Sequence, residues 1–257
     1  MFWNNEKKRQ KLFPGVRYEQ QSMIGSSLNF AASEAYKLLR TNIMFSLADD
    51  DSRRVIGITS SLEGEGKSLT AINLAYTIAE TGKKVLLMEC DLRLPTVAKR
   101  LKLHAAPGLS NLLVGLNSAE EAVQEGVMLE NLDIMPAGNI PPNASELLES
   151  SRMSYMVNKL AEYYDYILLD LPPVGVVSDA IVASKLTSGM VIVVRQDYAS
   201  RGALAETMRQ MKYVDAKILG FVFNSADGAG SPYKKRYGKS YGYEKYGYGG
   251  DKKGTRP

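Results

Sequence analysis

The 257-residue sequence has one cysteine, Cys90, and one histidine, His104. A single thiol rules out an internal disulfide and fits a reducing, cytoplasmic setting. His104 stands in a basic, loop-like stretch with no cysteine or acid at ligand spacing, so neither a His-rich metal site nor a Ser-His-Asp triad is expected. No apolar run approaches the length that crosses a bilayer, and the opening MFWNNEKKRQKLF has charges without an apolar segment behind them. Work at a membrane would need something else to hold the chain there. The body also lacks net positive charge. Of the formal +4, the segment from Gly228 onward carries +6, with eight Lys/Arg against Glu244 and Asp251, which leaves −2 for the rest. A broad nucleic-acid-binding face is therefore not expected on the body.

What is present centres on residues 55–79, VIGITSSLEGEGKSLTAINLAYTIA. Val55, Ile56 and Ile58 read as a buried strand, whereas Ala71, Ile72, Ala75, Ile78 and Ala79 recur at helical spacing. Between them lies a Gly-rich turn ending in Lys-Ser. Strand, turn, Lys-Ser and helix are the parts of a phosphate-binding P-loop. Glycines let backbone N–H groups wrap a phosphate, and the helix N-terminus adds partial positive charge. Gly64, Glu65, Gly66, Lys67, Ser68 and Leu69 form the expected nucleotide-binding set, with Lys67 on the β/γ-phosphates and Ser68 on Mg²⁺. The standard pattern has Gly where this chain has Ser61.

Residues 1–29 mix Lys and Arg with Gly and Ser and read as an extended or loosely packed arm, either a solvated leader or a docking segment. A helix is expected from Phe30 to Leu47, with Ser33 as N-cap. Glu34, Lys37 and Arg40 sit three apart on it, a spacing that by itself describes a solvated ion-pair face. The run from Lys84 to Met88 is a strand that delivers Glu89, Cys90, Asp91 and Arg93 at its carboxyl end, where ligands gather in open parallel sheets. Leu132–Pro136 is a short strand, and Ser145 opens a helix running to about Tyr163. Asp165–Asp170 is an apolar strand ending in a carboxylate, the Walker B arrangement, stopped by Pro172-Pro173. Strands at 189–194 and 218–224 flank a helix over 202–214. Strands alternating with helices imply an α/β fold of the P-loop NTPase type, a parallel or mostly parallel sheet covered on both faces.

After Asp227 the composition changes. Tyr233, Tyr237, Tyr241, Tyr243, Tyr246 and Tyr248 alternate with Gly, Lys and Arg, almost without aliphatic residues, and such a segment cannot bury enough surface to order itself. It reads as a solubilising tail, as a nonspecific nucleic-acid binder, or as a set of tyrosine substrates tethered to a nucleotide site. Phosphorylating all six would move the tail from +6 to roughly −3 to −6.

From about residue 30 onward the chain resembles the bacterial tyrosine kinases that control capsule and exopolysaccharide synthesis. The resemblance is carried by SSLEGEGKS, LLMECDLRLP, NIPPNASELLES, YDYILLDLPPVGVVSDA and the terminal tyrosine cluster. The H-R-D and D-F-G motifs of eukaryotic-type kinases are missing. The resemblance implies a kinase domain over 30–226 and a flexible autophosphorylation tail over 227–257. It implies catalysis by Lys67, Glu89, Asp91, Arg93 and Asp170, Mg²⁺ held by Ser68, Asp91 and Asp170, and ATP as phosphoryl donor. The family's D-x-D reads Glu89-Cys90-Asp91 here, one acid approaching the tyrosine hydroxyl and the other the metal. Its E-x-x-R-x-x-R ring-forming helix reads Glu34, Lys37, Arg40, with Lys in place of the middle Arg. Implied partners are further copies in a ring, a transmembrane adaptor of the chain-length-determinant type that recruits the kinase to the membrane periphery, a phosphotyrosine phosphatase and other tyrosine substrates, with no nucleic acid. The rival readings are a partitioning or division-site ATPase of the same superfamily and a noncatalytic scaffold.

Overall fold

Successive side chains of a strand point to opposite faces, and the central strands here are apolar on both. In the strand Val55–Ser60 (β1), Ile56 and Ile58 face one core and Val55 the other; in Tyr166–Asp170 (β4), Leu168 faces the first, Ile167 and Leu169 the second. A computed structural model describes residues 23–47 and 54–225. Its remaining strands are Val85–Glu89 (β2), Leu132–Met135 (β3), Gly189–Arg195 (β5) and Ile218–Asn224 (β6). All six join one sheet in the order β3-β2-β4-β1-β5-β6, and every strand pairing is parallel. The order reverses at β1, so the loop after β1 opens at the sheet's switch point, between the carboxyl ends of its neighbours.

One face is covered by helices Phe30–Ser46 (α1) and Lys67–Ala79 (α2), the second of which is buried along nearly its whole length. Val97–Leu101 (α3) packs beside α2. The opposite face holds Leu109–Leu113 (α4), Ala119–Ala122 (α5), Ala144–Glu149 (α6), Ser151–Leu160 (α7), Asp179–Ser184 (α8) and Arg201–Tyr213 (α9). The expected α/β class with helices on both faces is the observed one.

Local corrections have local causes. The N-cap of α1 is Asn29, whose Oδ1 accepts from Ala32 N at 2.9 Å, so Ser33 lies inside the helix. The single helix expected from Ser145 to Tyr163 is two, because the Ser150 hydroxyl accepts from Met153 N at 3.1 Å and starts a second. Residues 23–29, assigned to the arm, are docked on α2: Asn73 accepts from Gly25 N and donates to the Met23 carbonyl, each at 2.9 Å. The rest of the arm and residues 226–257, with the tyrosine cluster, lie outside the described residues.

Candidate active site

The loop from Ser61 to Gly66 is braced from behind, and the brace is Glu65. Its fully buried carboxylate accepts from Leu62 N at 2.7 Å and from Arg195 N at 3.2 Å, tying the loop to itself and to β5. Glu65 thus serves the loop with its side chain, and only its backbone is left to face a ligand. Asn224, at the end of β6, donates to the Glu65 carbonyl at 2.8 Å. Gly66 has φ 95°, and a Cβ there would come within 2.1 Å of the Asn224 amide nitrogen, so glycine is required on both counts. Lys67, Ser68 and Leu69 form the first turn of α2, with Thr70 N already bonded to the Gly66 carbonyl at 2.9 Å. Their N–H groups precede the helical ladder and are the donors a phosphate would meet. Leu69 contributes there only through its backbone.

A cleft of about 230 Å³ opens over this turn, lined among others by Gly64, Lys67, Ser68, Asp91, Arg93 and Pro172. Lys67 Nζ reaches Asp91 Oδ2 at 2.8 Å and Ser68 Oγ at 3.5 Å. Burial alone would lower the Lys67 pKa; Asp170, Asp91 and Glu89 together outweigh it and hold it above the usual lysine value. Asp170, at the tip of β4, is fully buried, and neither carboxylate oxygen meets a partner at hydrogen-bond geometry among the described residues. Burial pushes its pKa up to about 6, although the Lys67 charge and the Ser68 hydroxyl pull it down. A buried carboxylate without donors is costly unless a cation completes it. With the Ser68 hydroxyl and Asp91 beside it, the donor set is the hard-oxygen chemistry of Mg²⁺. Among the described residues no three His, Cys, Asp or Glu side chains are placed to hold an ion alone, so phosphate oxygens and water would have to supply the rest of its shell.

Glu89 is not delivered to the cleft. Its buried carboxylate accepts from Thr96 N, from Val97 N at 2.5 Å and from Ala137 N at 3.3 Å. The acid reaches past the sheet tip to the start of α3, where Thr96 and Val97 N–H groups meet it, with Ala137 N after β3 as the third donor. Glu89, expected as a base on the acceptor hydroxyl, is held as a brace among backbone donors and does not line the cleft. Asp91, two residues on, does face the cleft. Cys90 between them is buried, its thiol pushed well above the ordinary value by burial and by the surrounding acids.

Arg93 lies at the rim, and its partners escaped sequence reasoning. Nε donates to Asp179 Oδ2 at 2.8 Å, while Nη2 donates to Asp179 Oδ1 at 3.1 Å and to Ser145 Oγ at 3.0 Å. The Ser145 hydroxyl in turn donates to Asp179, whose carboxylate is fully buried. Both residues stand within stretches that carried the family resemblance, yet nothing local pairs positions 86 and 34 residues apart. Away from the cleft, Glu34 and Lys37 on α1 form an exposed ion pair at 2.8 Å. Arg40 turns inward instead, donating to the Thr77 carbonyl at 2.7 Å in the last turns of α2. Among the described residues no helix is long and apolar enough to cross a membrane.

Comparison with known proteins gives this geometry a family. Residues 53–219 match the AAA domain family. The chain is 36% identical over 220 residues to the tyrosine-protein kinase YwqD of Bacillus subtilis (strain 168), covering 86% of this chain and 87% of that protein. Among solved structures, the chimerical protein CapA2B2 aligns at a TM-score of 0.74 and 33% identity, over 79% of this chain and 88% of its own. The septum site-determining protein MinD of Pyrococcus horikoshii OT3, complexed with Mg-ADP, aligns at 0.56 and 25%, over 66% and 69%. The P-loop architecture is thus shared with division ATPases, but both likeness and coverage are greater on the kinase side. The chain belongs to the bacterial tyrosine-protein kinases, built on a P-loop sheet of the AAA class.

Proposed function

We propose that the chain transfers the γ-phosphoryl group of ATP to tyrosine hydroxyls, those of its own residues 233–248 among them. The supporting observation is the bare, buried Asp170 carboxylate set beside Ser68, Lys67 and Asp91 at the mouth of a braced P-loop. The first-turn N–H groups of α2 orient the phosphates, and Lys67 Nζ moves from Asp91 onto the β/γ-phosphate oxygens. That movement frees Asp91 to accept the proton of the acceptor hydroxyl. The tyrosine O–P bond forms as the bond between the γ-phosphorus and the β,γ-bridging oxygen breaks, and ADP departs with that oxygen. Mg²⁺, held by Ser68 and Asp170 with Asp91 adjacent, supplies neutralisation of the phosphate charge when bound. Leu94 and Val176, both more than half exposed, give the rim an apolar surface suited to an aromatic ring.

Transfer runs in trans within a ring whose contacts include the exposed Glu34 and Lys37 of α1. Phosphorylation reverses the charge of the tail and loosens the ring, a phosphatase resets it, and a transmembrane adaptor holds the assembly at the membrane, where it regulates polysaccharide synthesis and export. The test is the intact mass of the full chain after incubation with Mg-ATP, alone and with an adaptor's cytoplasmic segment. Several phosphate additions are expected, none in Lys67→Met, and few in a chain ending at Asp227. No addition under either condition overturns the reading.

A further inference from the structure

Arg93 is held unusually firmly for a residue on a cleft rim. Two of its nitrogens are committed to the buried Asp179 and to Ser145, while Nη1 has no hydrogen-bond partner among the described residues. A guanidinium is planar, so fixing one edge fixes the direction of the other. The side chain remains 42% exposed and lines the same cleft as Lys67 and Ser68. Arg100 lines that side as well, whereas of the two lining acids Asp91 is already paired with Lys67, leaving Glu63. This lip therefore favours an anion. The tyrosine-bearing tail carries +6 and is not itself that anion. What passes through the cleft with concentrated negative charge is a terminal phosphate group.

We propose that Asp179 and Ser145 are positioning residues that aim Arg93, and that the open Nη1 edge of Arg93 binds a terminal phosphate dianion on the acceptor side of the cleft. That phosphate has two sources, the γ-phosphate at the anhydride end of ATP before transfer or the phosphate ester of phosphotyrosine after it. The inference rests on the tyrosine-kinase reading of the cleft. A pinned arginine meets phosphate through charge-assisted bonds that need no further ordering of the side chain.

Isothermal titration of the full chain with Mg²⁺ separates the sources. One arm compares ATP with ADP; the other compares a peptide of residues 236–246 carrying phosphotyrosine at Tyr241 with its unmodified form. Arg93→Ala is expected to reduce the wild-type preference in one of these ratios by roughly tenfold or more. Ser145→Ala, a mild change, and Asp179→Asn should reduce the same ratio by about threefold to tenfold while ADP affinity holds. A fall confined to the ATP/ADP ratio identifies the γ-phosphate, and one confined to the peptide ratio identifies the product. Unchanged ratios in folded Arg93→Ala, or wild-type ratios of one in both arms, overturn the site. Equal losses for ATP and ADP show a merely structural residue and overturn it too. A ratio that responds to Arg93→Ala but to neither partner variant overturns the positioning role. Failure of the kinase reading is separately visible: the wild type would then bind ATP and leave tyrosine unmodified, while the ATP/ADP arm still decides whether Arg93 reads the γ-phosphate.

Discussion

Glu89 and Asp170 end neighbouring strands, stand opposite each other in register, and are both fully buried. They are chemically near-identical and electrostatically opposite in fate. Glu89 takes backbone donors from Thr96, Val97 and Ala137; Asp170 takes none. A buried carboxylate with its donors supplied has become part of the frame, whereas one left bare is poised for a cation that the polypeptide does not provide. The difference arises from which backbone donors the fold places around each acid.

The sharpest break of this contrast is Asp170→Asn. It should lower Mg-dependent phosphorylation by about 10³-fold, read by initial rates, because a ligand of the neutralising ion is lost. The same change should stabilise the fold without nucleotide by roughly 1–3 kcal/mol at pH 8, read by urea unfolding, because a bare buried charge is removed. The pH dependence follows with a definite sign. The Asp170 pKa in the fold, about 6, stands above its ordinary 3.8, so the native state holds this proton more tightly than the unfolded chain. The resulting stabilisation is complete below about pH 4 and is lost as pH rises through about 6. Affinity for Mg-nucleotide should run the other way, weakening as pH falls through 6. A pH-independent unfolding free energy between 4 and 8 in the difference between wild type and Asp170→Asn would contradict this.

Glu89 should respond in the opposite sense. Glu89→Ala strands three backbone N–H groups and is expected to cost about 2–4 kcal/mol. Glu89→Gln keeps one acceptor and should retain activity to within a few-fold where Asp91→Asn loses most of it. If folded Glu89→Gln proved as inactive as Asp91→Asn, Glu89 would be restored as the base and the brace reading would fail. A smaller effect belongs to Arg40→Ala, which removes the bond to the Thr77 carbonyl and should cost about 1 kcal/mol in unfolding free energy. Glu34→Ala, at an exposed pair, should leave stability within about 0.5 kcal/mol, and any larger effect on assembly would assign its role to contacts between chains.

Much of this molecule is written in short-range patterns. Runs such as Ile167–Leu169, apolar on both faces, can only be inner strands of a covered sheet, and the period change after Ser68 can only be a strand-to-helix turn. Errors at helix ends stayed within a few residues, since Asn29 and Ser33 both have cap chemistry and Ser150 was one more cap inside a periodic run, whereas the short helices Val97–Leu101 and Asp179–Ser184 were not foreseen. The sequence also named the residue types at the site, because phosphate chemistry needs Lys and Ser at a helix start and Asp at strand ends.

By itself the sequence determined the order of the strands and of the longer helices, the P-loop and the family, since each depends on neighbours within a turn or a strand. Only the tertiary structure decided what each acid and arginine does. The Glu89 carboxylate is held by donors 7, 8 and 48 residues away; Arg93 is held by Asp179 and Ser145; Asn224 closes over Gly66. Donors at such separations are brought together by packing of the sheet's carboxyl edge, and a side chain's role follows from which of them it meets.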